Sequence, residues 1–159
     1  MVTDGEVFRK LDGVPYTGLT LQADGLHLHI NEDPDEVLAQ GVLQTWAFYD
    51  RCPLIYEREA VVDTEWQFSN EKNIRTIIFP LEGTNYGILT VTDKTSKGMT
   101  LVECTALLQE TIDPDWAFNL DGGPSSALLA RDAGDKKLKT IYGNRAKDID
   151  VLAFCELEE

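Results

Sequence analysis

Two kinds of apolar spacing alternate along this chain, and their order predicts its elements. "GLTLQADGLHLHI" (Gly18 to Ile30) alternates apolar and polar positions on either side of Asp24-Gly25, the signature of a hairpin closed by a tight turn. "DPDEVLAQG" (Asp33 to Gly41) predicts a short helix, since Asp33 suits the N-cap, Pro34 the first helical position and Gly41 the exit. "WAFYDRCPLIYEREAVV" reads as strand, turn, strand, with Pro53 near a break. "NIRTIIFPLE" and "YGILTVTD" are β-rich runs that the intervening "GTN" joins into a second hairpin.

At "KGMTLVECTALLQET" the period changes. Leu101, Cys104, Leu107 and Leu108 recur at helical spacing, and Thr100 with Glu103 three residues on forms a capping box. The proline of "DPDW" ends that helix. "WAFNL" and "SSALLA" read as strands, and "KLKTIYG" and "DIDVLAFCEL" complete the set. There is no internal repeat, low-complexity tract or long linker. Strands outnumber helices, so the expected class is α+β: a mostly antiparallel or mixed sheet with a few packed helices, in one compact domain spanning 1–159.

Composition narrows the partners. At 159 residues, 43% hydrophobic and 26% charged, the chain falls in the ordinary globular range. Its formal charge of −14 repels phosphate backbones and anionic lipid, so neither nucleic acid nor membrane is an expected partner. A local basic patch remains compatible with one phosphate group. Cys52, Cys104 and Cys155 are widely spaced and form no C-x-x-C pair, which predicts buried free thiols in a reducing compartment. "MVTDGEVFRK" lacks the features of a signal peptide, and no apolar stretch approaches the roughly 20 residues of a membrane helix. A soluble, cytoplasmic protein is the expectation. His27 and His29 share a strand face without a third nearby ligand, so a solvated face is expected there and no metal or other cofactor. Trp46 and Trp116 flank apolar strands and are expected in the core, whereas Trp66 is either packed or free to stack on a sugar.

The chemistry concentrates in "AFNLDGGPSSALLA". Asn119 and Asp121, two apart, share one strand face, while Phe118 and Leu120 take the other. Gly122-Gly123 admits backbone conformations closed to other residues, and successive amides in such a bend can form an anion-binding nest. Ser125 and Ser126 add hydroxyls. Asp-Gly-Gly is equally a plain turn sequence, and composition alone leaves both readings open.

"FNLDGGPSSALL" resembles the signature of the phosphodiester glycosidase family, N-L-D-G-G-G-S-S followed by small and apolar residues. The family's upstream landmarks are matched in order by "RTIIF" (Arg75 to Phe79), "YGILTV" (Tyr86 to Val91) and "GMTLVECTALLQ" (Gly98 to Gln109). The resemblance is clearest from Trp46 onward. The chain departs from the pattern at Pro124, which replaces the third glycine, and at Ile77 and Phe79, which replace an alanine and a glycine. Residues 1–45 show no clear counterpart of the family's N-terminal portion.

The resemblance implies hydrolysis of a sugar-1-phosphodiester, with N-acetylglucosamine or a related sugar as donor. It implies Asp121 as catalytic carboxylate, Arg75 neutralising the phosphate, and Asn119 orienting a sugar hydroxyl or Asp121 itself. Gly122, Gly123, Ser125 and Ser126 would line the phosphate, and Arg145 is the match to a family arginine near the C-terminus. Thr76 alternates to the opposite strand face and reads as structural. Asp50, Glu82 and Asp93 are candidates for a second carboxylate because they sit near strand ends. The expected partner is a phosphorylated sugar or nucleotide sugar, and a short domain of this kind is compatible with a homo-oligomer. Two alternatives stand beside the hydrolase: a non-catalytic module binding a phosphorylated sugar or nucleotide, and a structural protein, for instance in a phage particle.

Overall fold

The computed structural model describes residues 2–8, 13–46, 50–92, 98–123, 126–131 and 137–142. The first hairpin forms as the alternation predicts: β3 (Tyr16–Gln22) and β4 (Gly25–Glu32) pair antiparallel, closing at Gln22 and Gly25. β5 (Gln44–Trp46) pairs with the other edge of β3, giving a three-stranded sheet ordered β4-β3-β5. The second sheet has five strands. β6 (Pro53–Tyr56), β7 (Glu59–Ala60), β8 (Arg75–Pro80), β9 (Tyr86–Val91) and β10 (Trp116–Asn119) lie in the order β7-β6-β10-β8-β9. Two short hairpins, β1 (Val2–Thr3) with β2 (Glu6–Val7) and β11 (Leu128–Ala130) with β12 (Lys139–Tyr142), complete the described strands, and every named pairing is antiparallel.

Helix ends follow their capping residues. In α1 (Pro34–Leu38) the Asp33 carboxylate accepts from the amides of Asp35 and Glu36. In α3 (Leu101–Thr111) the Thr100 hydroxyl accepts from the Glu103 amide, and the Glu103 carboxylate accepts from the Thr100 amide. Each cap satisfies amides that have no partner within the helix. α2 (Gln67–Asn70) is a single turn that the sequence pattern does not announce: its N-cap, Trp66, makes no side-chain capping bond.

The five-stranded sheet is covered on both faces. Ile77, Phe79 and Ala117 pack with Leu101, Cys104 and Leu108 of α3. Ile78 and Phe118, alternating to the other face, pack with Leu19, Leu26 and Leu28 of the three-stranded sheet. Full burial of a leucine contributes roughly 1.5–3 kcal/mol, so Leu101 and Leu108 fasten α3 over the sheet. The Tyr86 hydroxyl accepts from the Leu26 amide at 2.7 Å and ties the two sheets together.

Two expectations need correction. The Trp46 to Val62 region holds three short strands rather than two, and Pro53 opens β6, where its missing N–H costs no ladder bond at the strand's first residue. His29 is buried, not solvated: its Nε2 lies 2.9 Å from the Thr20 hydroxyl and its Nδ1 lies 3.0 Å from Glu32. Val2, Val37 and Val42 form a third apolar cluster with Tyr16, whose ring meets His29 edge-on, which is what removes His29 from water. Trp66 is packed against the α3-side core and the Phe68 ring. Cys52 and Cys104 are buried free thiols; Cys155 and "DIDVLAFCEL" lie outside the described residues. Among those residues no helix is long and apolar enough to cross a membrane.

Candidate active site

The central strand β10 ends at Asn119, whose amide donates to Cys52 O at 2.8 Å and which stands opposite Ile77 of β8. Phe118 and Leu120 belong to the cluster facing the three-stranded sheet, so alternation turns Asn119 to the α3 face beside Ala117. Asn119 is only 8% exposed, and among the described residues its Oδ1 has no hydrogen-bond partner. A buried acceptor without a donor costs about 1–3 kcal/mol, which a donor from a ligand or a water would recover.

Beyond Asn119 the chain follows β8 and then folds back. The Leu120 amide donates to Thr76 O at 2.8 Å and the Gly123 amide to Ile74 O at 3.0 Å. Asp121 stays exposed, and its Oδ1 accepts from the Gly122 amide at 2.8 Å. Ser126 returns to β8, where its buried hydroxyl accepts from Thr76 Oγ1 at 3.1 Å. Asn119, Gly122, Gly123 and Ser126 therefore border the start of β8, Asn119 on the α3 face beside Ile77 and Ser126 on the other face with Thr76. Pro124, Ser125, Arg145 and Asp93 lie outside the described residues.

Two features differ from the sequence expectation. The glycine amides do not form an open nest, because Gly122 donates to its neighbour's carboxylate and Gly123 to Ile74 O. Arg75 is buried beneath α2 and α3. Its Nη2 donates to Phe68 O and Glu71 O, both at 2.7 Å, and its Nε to Met99 O at 3.3 Å. Burial lowers its pKa, while Cys104 and Glu71 oppose that shift. Of the other carboxylates, Glu82 follows the far end of β8, whereas Asp50 precedes Cys52, the residue that accepts the Asn119 amide. A shallow depression of about 380 Å³ lined by Tyr56, Glu57, Arg58, Asp115 and Trp116 lies at the opposite end of β10 from Asn119.

The sequence model described as "Phosphodiester glycosidase" (NAGPA) matches residues 1–153. The chain belongs to the phosphodiester glycosidase family. The match starts at residue 1, so the family frame includes residues 1–45, whose motifs show no clear counterpart of the family's N-terminal portion. Among solved structures, the chain is similar to the catalytic domain of zebrafish N-acetylglucosamine-1-phosphodiester alpha-N-acetylglucosaminidase, auto-inhibited by its pro-peptide. The TM-score is 0.62 at 19% identity, over 79% of this chain and 46% of that one, a likeness of fold. This phosphodiester glycosidase chain thus spans under half the length of that structure. No curated protein matches it.

Sequence reasoning missed Asn73, where the family motifs of this phosphodiester glycosidase meet. Asn73 exchanges two backbone hydrogen bonds with Met99, at 3.1 and 3.0 Å. Gly98 lies so close to the Asn73 carbonyl that no β-carbon fits between them. A β-carbon at Gly122 would stand 2.9 Å from Ile74 O, and Gly123 adopts φ +60° beside the Asn73 side chain. The glycines of "GMTL" and "LDGG" are needed because both segments press on the same two residues. Asn73 falls within "NIRTIIF", but nothing in its spacing marks it.

Proposed function

We propose that the chain hydrolyses a sugar-1-phosphodiester, with N-acetylglucosamine or a closely related sugar as donor. In this reading Asp121 is the catalytic carboxylate. It takes a proton from water as the water oxygen bonds to the anomeric carbon, and the bond from that carbon to the phosphate oxygen breaks. The products are the free sugar and a phosphomonoester. The departing phosphate is already a good leaving group, so charge stabilisation around it matters more than protonation.

The observation that carries this reading is the buried Asn119 Oδ1, unpartnered among the described residues, two positions before the exposed Asp121. A hydroxyl or amide N–H of the sugar would satisfy that acceptor and place the anomeric carbon near the carboxylate. Ser126 accepts from Thr76 and keeps its own proton to donate to a phosphate oxygen. Arg75 lends positive charge from its buried position beneath α2 and α3. Gly122 and Gly123 let the ligand approach the main chain, and Ser125 and Arg145 complete the phosphate side. Incubation with UDP-N-acetylglucosamine, with free sugar quantified, tests the reading.

The inward engagement of Arg75 and of both glycine amides favours one second reading, a module that binds a phosphorylated sugar without turning it over. Thermal stabilisation by UDP-N-acetylglucosamine without release of sugar would select it.

A further inference from the structure

We propose that Asn73 binds the phosphate of the ligand, donating from its carboxamide Nδ2 to a phosphate oxygen; this rests on the reading that the site takes a phosphorylated sugar. Beside the Ser126 hydroxyl, the described residues of the loop leave few donors for that task. The Gly122 and Gly123 amides donate to Asp121 Oδ1 and Ile74 O, and the Nε and Nη2 of Arg75 donate to carbonyls.

Asn73 is exposed and stands where those donors are missing. A β-carbon at Gly123 would lie 3.7 Å from its Oδ1 and 3.9 Å from its Nδ2, so the amide plane flanks the loop two residues past Asp121. The Ile74 amide donates to Oδ1 at 2.8 Å, which decides the orientation of the carboxamide: the oxygen is held by the backbone and the NH₂ is left to the ligand. Among the described residues Nδ2 has no partner. Both backbone polar groups of Asn73 are fixed by Met99, so the donor is held in place before the ligand arrives. An amide also donates without adding charge, which leaves the neighbouring Asp121 carboxylate unneutralised. A hydrogen bond from such a donor to an ionised phosphate oxygen is shorter and stronger than one to a neutral acceptor.

The test is calorimetric titration of the protein, Asn73→Ala and Asn73→Asp with N-acetylglucosamine 1-phosphate. Asn73→Asp keeps the acceptor for the Ile74 amide but replaces the donor with a negative charge; Asn73→Ala removes both. A phosphate donor predicts affinity falling about 10- to 100-fold in Asn73→Ala and further still in Asn73→Asp, while Asn73→Asp retains the higher melting midpoint of the two. A purely structural Asn73 gives the reverse affinity order, with Asn73→Asp the milder change, and that result overturns the proposal. Unchanged affinity in both variants, or no binding by the unmodified protein, also overturns it. Release of sugar from UDP-N-acetylglucosamine is scored separately. Binding in the expected order without release rejects the hydrolase and supports the Asn73 contact, whereas release with both variants indifferent does the opposite.

Discussion

The Cα of Gly98 rests against the backbone carbonyl of Asn73, in a gap that admits no side chain. This contact joins the segment leading into α3 to the segment leading into β8, against which the signature loop folds. Because Gly98 also has φ +89°, alanine there meets both a steric clash and a disfavoured backbone. Gly98→Ala should cost roughly 2–5 kcal/mol, read from the urea unfolding midpoint. Gly83 has φ +69° but open space around it, so Gly83→Ala should cost only about 1 kcal/mol.

Arg75, itself buried, holds the carbonyl oxygens of Phe68, Glu71 and Met99. Arg75→Met should therefore destabilise the protein by about 3 kcal/mol. Arg75→Lys keeps the charge, but one ammonium cannot span the positions that the planar fork reaches, so it should recover only part of the loss. Denaturant titration of the three proteins checks the order.

Cys104 is fully buried, and desolvation pushes its pKa from 9.0 up to about 11, with Arg75 partly opposing the shift. The folded state thus holds the thiol proton more tightly than the unfolded chain does. This stability is intact below pH 9 and should fall by roughly 1.4 kcal/mol per pH unit as pH rises from 9 to 11. Urea midpoints measured across that window should show the slope, and Cys104→Ala should flatten it.

Asn119→Leu separates folding from function. It removes a buried acceptor that has no donor among the described residues, so stability should hold or rise by up to about 1 kcal/mol, read from the urea midpoint. Binding of N-acetylglucosamine 1-phosphate should weaken about tenfold or more. A variant that melts earlier and binds normally would show Asn119 to be an ordinary core residue.

Much of the scaffold was legible because short-range chemistry determines it. Asp24-Gly25 closes its hairpin, Asp33 caps α1, and Thr100 with Glu103 caps α3, each through contacts within a few residues. α2 was not legible, since its single turn has neither a capping bond nor an apolar period. The family resemblance and strand alternation singled out Asn119, Asp121 and Ser126, but not that Asn119 stands opposite Ile77 or that Ser126 meets Thr76. The inward turn of Arg75, the engaged amides of Gly122 and Gly123, and the placement of Asn73 depend on contacts between distant segments, which no local pattern encodes. His29 was misread for the same reason: it is buried against Tyr16 and bonded to Thr20, both on the paired strand β3.

The most direct test of the proposed chemistry is the initial rate of free N-acetylglucosamine release from UDP-N-acetylglucosamine by the protein and by Asp121→Asn. Asp121 is exposed, and the amide keeps an oxygen for the Gly122 N–H, so the melting midpoint should not move. The expected result is measurable release by the unmodified protein and a rate at least about 100-fold lower in the variant. Equal rates in the two proteins, or no release by either, would contradict a hydrolase that works through Asp121.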